Sequence, residues 1–116
     1  MQRLWKAFFY SLAGLRAAWQ SETAFRQEVV VSAVMVPLAL LLPVALALKA
    51  ILVASHFLLL VTELLNSAIE AVVDLASPQQ HPLAKNAKDW GSAAVLLCLV
   101  ELGVVWLLAL IAAYRG

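Results

Sequence analysis

The sequence predicts an all-α membrane protein: an N-terminal amphipathic surface helix followed by three transmembrane helices, with residues 1–116 forming one integral-membrane domain. The chain is 65% hydrophobic and only 13% charged, whereas soluble domains are about half apolar and about a quarter charged. Three apolar runs are long enough to cross the ~30 Å hydrocarbon core of a bilayer. A water-soluble chain of this length could not bury so much apolar sequence, so lipid is the expected solvent.

Residues 1–28 are predicted to form the surface helix. Apolar side chains recur every three or four positions and therefore share one helical face, at Leu4, Phe8, Leu12, Leu15 and Trp19. Arg3 and Lys6 fall towards another face. A helix with this pattern lies along the membrane surface. The pattern alone would equally suit a simple anchor.

The three apolar runs define the predicted spans, at residues 29–48, 50–73 and 91–114. The first span is uncharged and contains Pro37 and Pro43, which predict a kink. The third span contains one charged residue, Glu101, which we interpret as a helix-association or lipid-boundary residue.

The distribution of cations predicts the orientation of the spans. Six of the eight Lys and Arg residues lie in the N-terminal segment or in the linker at 74–90, and only Lys49 and Arg115 lie on the other side. The positive-inside rule therefore places the N-terminus and the linker in the cytoplasm. The net charge of +1 argues against a nucleic-acid partner, and the single cysteine, Cys98, argues against a disulfide framework.

Polar residues form a stripe within the second span. Glu63, Asn66, Glu70 and Asp74 are spaced to share one helical face. Because ionisable groups in a bilayer are costly, we expect the stripe to face a protein interior or a wet cavity. The two glutamates lie roughly 10 Å apart along the helix, which is too far to bind one ion by themselves, but they could divide metal binding and proton acceptance, as phosphoryl transfer requires.

Two other interpretations of the stripe stay open at this point. The stripe could specify only helix pairing, in a small non-catalytic membrane subunit. It could also form a proton relay in a transporter component. The motifs of soluble nucleotide-binding folds, GxxxxGK[ST] and GxGxxG, are absent.

The segment ELLNSAIEAVVD at 63–74 resembles the signature of the bacterial membrane-integral diacylglycerol kinase family. Further similar segments follow the same order along the chain: GLRAAW at 14–19, AFRQE at 24–28 and AKDWGSAAV at 87–95. The resemblance implies a homotrimer with sites between subunits. It also implies transfer of the γ-phosphate of MgATP to the hydroxyl of diacylglycerol, giving phosphatidic acid and ADP.

By this resemblance, Glu63 is the base, and Glu22 and Glu70 are the Mg²⁺ ligands. The resemblance also implies two further groups of residues. Those that contact nucleotide or phosphate are Arg3, Glu22, Glu70, Lys88 and Asp89, and the supporting or substrate-binding residues are Trp19, Asn66 and Ser92. Related enzymes of the same architecture phosphorylate undecaprenol, so the acceptor stays open, although the N-terminal segments are more similar to the diacylglycerol branch.

Overall fold

A computed structural model describes all residues from Met1 to Gly116 and consists of four α-helices. They are α1 (Gln2–Ser21), α2 (Thr23–Leu41), α3 (Leu46–Ala76) and α4 (Pro82–Arg115). By length and composition, α2, α3 and α4 are each able to cross a membrane. The structure thus has the predicted helical architecture of one amphipathic helix and three spans.

The first two helices meet at a sharp corner at Glu22, which we call the elbow. Glu22 has an extended backbone, with φ −110° and ψ 101°, so the surface helix ends at Ser21 and residues 23–28 already belong to the first span's helix. The Arg26 guanidinium donates hydrogen bonds to the carbonyl oxygens of Trp19 (2.9 Å) and Gln20 (3.0 Å). These carbonyls are in the last turn of α1 and lack helical partners, so Arg26 stabilises the elbow.

The turn between α2 and α3 lies earlier than the limits predicted for the first span. α2 ends at Leu41 because Pro43 has no backbone N–H and disfavours helical geometry at the residue before it. Across the turn, the Lys49 ammonium donates a hydrogen bond to the Leu40 carbonyl oxygen at 2.8 Å. Pro37, by contrast, stays inside α2.

α3 is the central helix and packs against both α2 and α4. Where the three helices meet, Ala39, Leu52 and Ala109 are fully buried. Small side chains such as these alanines let membrane helices approach closely. Only 13 of the 116 residues are buried, and most large apolar side chains of the spans are exposed, as expected for helices that are solvated by lipid.

A short connection joins the long helices α3 and α4. α3 continues to Ala76 and α4 begins at Pro82, so most of residues 74–90 are helical. Pro82 suits the first turn of a helix, where its missing N–H is not needed, and the His81 side chain accepts a hydrogen bond from the Leu83 N–H at 3.1 Å. This connection brings the end of α3 beside the start of α4.

Candidate active site

The polar stripe of α3 enters the protein interior. Glu63 and Asn66 are 7% and 8% exposed, whereas Glu70, one turn later, is exposed. The Asn66 side-chain amide donates a hydrogen bond to a Glu70 carboxylate oxygen at 3.1 Å. The stripe therefore leads from an exposed carboxylate near the end of the helix to a carboxyl group inside the bundle.

The elbow brings further carboxylates to the stripe. Glu22 and Glu70 lie close enough to Glu63 for their charges to act on its carboxyl group, and Glu28, on the first turns of α2, is close enough to be affected by the charge of Glu63. We call these four glutamates the carboxylate site. Glu28 was not among the predicted site residues, although its place just before a long apolar run is a signal that could have identified it.

The chemistry of this donor set fits a divalent cation. Besides these carboxylates, one Glu28 carboxylate oxygen is buried without a hydrogen-bond partner, which is rare for polar atoms in proteins. Mg²⁺ prefers oxygen ligands and is usually held by one or two carboxylates together with waters and substrate phosphates. Within the chain, no group of three or more acidic, His or Cys side chains is arranged to hold a metal ion by itself.

Lysines lie beside the carboxylate site at the junction of α3 and α4. Lys88 pairs with Asp74 at 2.5 Å, and Lys85 pairs with Asp89 at 2.6 Å. The Glu70 charge also acts on Lys88. Lys88 thus lies near both Asp74 and Glu70, where a phosphate group could replace its partner.

One predicted residue, Arg3, is not brought to the carboxylate site within one chain. Arg3 is near the far end of α1, nineteen residues from Glu22 and therefore about 28 Å away along the helix. The Trp19 side chain and Ser92 are exposed. One chain thus gathers Glu22, Glu63, Asn66 and Glu70 and leaves Arg3 distant.

Comparison with known proteins gives the family. Residues 9–110 match the family described as prokaryotic diacylglycerol kinase. The chain belongs to this family. The diacylglycerol kinase of Pseudomonas aeruginosa is 48% identical over 106 residues, which cover 91% of this chain and 86% of that protein. The diacylglycerol kinase of Escherichia coli K12 is 45% identical over 108 residues (93% and 88%), and that of Helicobacter pylori strain 26695 is 43% identical over 113 residues (97% and 88%).

Membership of the prokaryotic diacylglycerol kinase family confirms the predicted resemblance, the helical membrane fold and the kinase class of enzyme.

A second polar group lies further along the spans, and we call it the helix-pairing cluster: Ser32, Ser55, His56, Glu101 and Trp106. His56 Nδ1 lies 2.9 Å from the Ser32 hydroxyl, and the Trp106 indole N–H donates to His56 Nε2 at 3.1 Å. Because an indole N–H can only donate, Nε2 is the acceptor, and a neutral His56 then donates from Nδ1 to Ser32. The Ser55 hydroxyl donates to Glu101 at 2.5 Å, so Glu101 joins α4 to α3, in agreement with its interpretation as a helix-association residue.

Proposed function

We propose that this chain is a diacylglycerol kinase that transfers the γ-phosphate of MgATP to the hydroxyl of diacylglycerol, giving phosphatidic acid and ADP. The observation that carries the proposal is the burial of Glu63 in a lipid-exposed helical bundle, surrounded by other carboxylates, in a chain of this family. A carboxyl group in such a place is costly to maintain and is expected to serve a function.

In this proposal, Glu63 accepts the proton of the lipid hydroxyl. Glu63 lies seven residues from Glu70, about 10 Å further along α3 and away from the linker. An alcohol held in the bilayer can approach Glu63 through the apolar part of the bundle, while a nucleotide approaches Glu70 from the aqueous side. The general base is thus on the lipid side of the site, where the acceptor hydroxyl loses its proton as phosphate is transferred.

Glu22 and Glu70 would hold Mg²⁺, with Asn66 orienting Glu70 through its side-chain N–H. When bound, the cation neutralises the charge on the phosphate oxygens of ATP. Lys88, Asp89 and Arg3 are proposed to contact the nucleotide. Lys88 would exchange its bond to Asp74 for one to phosphate, a change of partner that is easy for an exposed ion pair.

We further propose that the protein is a homotrimer whose sites are completed between subunits. Arg3 lies too far from the carboxylate site to act there within one chain, and the exposed Glu70 leaves that site open on one side. A neighbouring copy would supply the missing cation and cover the polar stripe from lipid.

The proposed location is the bacterial inner membrane, with the N-terminus and the linker on the cytoplasmic side. The six-to-two distribution of cations supports this orientation. In it, the Glu70 end of α3 faces the compartment that contains ATP.

The test is lipid labelling by the purified protein in detergent micelles. We expect radiolabelled ATP and Mg²⁺ to label diacylglycerol, and to label it faster than undecaprenol at equal mole fraction in the same micelles. If undecaprenol is labelled as fast as diacylglycerol or faster, undecaprenol is at least as good an acceptor as diacylglycerol. If neither diacylglycerol nor undecaprenol is labelled, the kinase function is contradicted.

A further inference from the structure

Gly91 lies buried on α4 directly against the Asn66 side chain. If Gly91 carried a Cβ atom, the three nearest heavy atoms outside its own helix backbone would all belong to Asn66. Such a Cβ atom would collide with the Asn66 side-chain oxygen and lie 3.2 Å from Cγ and 3.8 Å from Cβ. The space that a side chain would need at position 91 is therefore occupied by the Asn66 amide.

The backbone itself does not require glycine at this position. Gly91 is inside a long α-helix, and no residue of the chain has a positive φ. Glycine in a helix interior is less favourable than alanine by roughly 1 kcal/mol. The structure thus offers one reason for glycine here, which is the room that it leaves for Asn66.

The position of the Asn66 amide decides what Glu70 can do. With its oxygen end against Gly91, the amide turns its nitrogen end to Glu70 and donates the 3.1 Å hydrogen bond. Asn66 is buried and Glu70 is exposed, so the amide is the fixed partner and the carboxylate is the one that it orients. The same amide oxygen is buried without a hydrogen-bond partner, so packing alone keeps it in place.

We propose that Gly91 is a positioning residue for phosphoryl transfer, because it leaves the space that the Asn66 amide occupies. The Asn66 amide in turn holds the Glu70 carboxylate in the orientation that binds the metal–nucleotide complex. This inference rests on the proposed function for the role of Glu70. A side chain at position 91 would force Asn66 to rotate or α3 and α4 to separate, and either change breaks the bond to Glu70.

The first test is Gly91→Ala in the full-length protein in micelles. Groups that orient metal ligands typically contribute tenfold to hundredfold to metal affinity or activity. We therefore expect kcat to fall about tenfold to hundredfold and the Mg²⁺ concentration for half-maximal activity to rise. The matched control is Gly103→Ala on the same helix, where a Cβ atom meets nothing within 4 Å, and its activity is expected to stay within about twofold of wild type.

A double-mutant cycle with Asn66→Ala separates this role from a general effect on folding. In Asn66→Ala only the Cβ atom remains, at an ordinary contact distance of 3.8 Å. Adding Gly91→Ala to this variant is therefore expected to cause no further loss of activity or of Tm. A loss by the same factor in both backgrounds would overturn the proposal, as would wild-type activity and Mg²⁺ dependence in Gly91→Ala.

The Tm values keep the inference testable independently of the kinase function. If Gly91→Ala folds poorly, the proposal still requires that adding Asn66→Ala to it restore the Tm. A Tm that stays low in the double variant contradicts the proposed contact between Gly91 and Asn66. If the wild-type protein labels no lipid, the proposed function fails, while the dependence of the Gly91→Ala effect on Asn66 is still measured by Tm.

Discussion

The carboxylate site and the helix-pairing cluster both include residues of α3, yet their polar atoms differ in how fully they are hydrogen-bonded. In the helix-pairing cluster, both ring nitrogens of His56 are bonded to other helices, and Ser55 bonds to Glu101. In the carboxylate site, buried oxygens of Glu28 and Asn66 have no partner, and four groups of like charge are neighbours. The helix-pairing cluster has one exception, since one Glu101 carboxylate oxygen is also buried without a hydrogen-bond partner.

Under the proposed function, this difference distinguishes polar groups that hold helices together from those that would bind a ligand. Hydrogen bonds between membrane helices stabilise them by about 0.6 kcal/mol on average. A buried polar atom without a hydrogen bond gives no such stabilisation and destabilises the folded protein by roughly 1–3 kcal/mol. Under the proposed function, the unpartnered Glu28 oxygen, which lies among other carboxylates, would be available to a bound cation.

The largest expected effect comes from Glu63→Gln, which keeps the size of the side chain and removes its basicity. We expect phosphate transfer to fall at least about a hundredfold, the lower end of the contribution of a general base, with expression and assembly retained. The rate of labelled phosphatidic acid formation and size-exclusion chromatography measure the two properties.

The same substitution in the other cluster, Glu101→Gln, is the control. Since an amide oxygen can still accept the hydrogen bond from Ser55, activity is expected to stay within about twofold of wild type. Near-normal turnover in Glu63→Gln would remove its assignment as the base. A large loss in Glu101→Gln would break the distinction between the two groups.

The next largest effect is expected from Glu70→Ala, which removes a proposed metal ligand and the acceptor of the Asn66 hydrogen bond. Activity at limiting Mg²⁺ should fall by at least about tenfold, with partial recovery at high Mg²⁺. A Mg²⁺ titration of the labelling rate measures this. A wild-type rate that is insensitive to chelation of Mg²⁺ would contradict the metal-bridged phosphate.

The smallest effect on activity is expected from His56→Leu, which deprives the Ser32 hydroxyl and the Trp106 indole N–H of their partner. We expect the free energy of unfolding to fall by roughly 1–2 kcal/mol, while activity per folded protein stays within about twofold. Thermal unfolding in micelles and the labelling assay measure the two quantities.

Phe57→Leu, at the neighbouring lipid-exposed position, is the control for His56→Leu and should change neither quantity. A catalytic loss in His56→Leu without a loss of stability would show that the helix-pairing cluster takes part in the reaction.

Sequence patterns predicted the features that repeat along one helix. The polar stripe follows from the spacing of Glu63, Asn66 and Glu70 alone. The interior position expected for it is confirmed for Glu63 and Asn66, whereas Glu70 is exposed. The three spans likewise follow from the lengths of the apolar runs.

Features that depend on the register between helices could not be predicted in this way. Ser55 and Glu101 are 46 residues apart in the chain, and only the packing of α3 on α4 brings them together. The room for Asn66 beside Gly91 depends on the same packing. The elbow at Glu22 depends on hydrogen bonds from Arg26 to the end of a different helix, which no periodicity in the sequence records.

The elbow places Glu22, a proposed metal ligand, at the junction between the surface helix and the bundle. α1 is expected to follow the plane of the lipid headgroups, whereas α3 follows the tilt of the bundle, and Glu22 lies at the corner between these two directions. The separation of Glu22 from Glu70 consequently changes with the angle between them. Under the proposed function, a change in the direction of the surface helix would therefore move one metal ligand relative to the other through a single bend in the backbone.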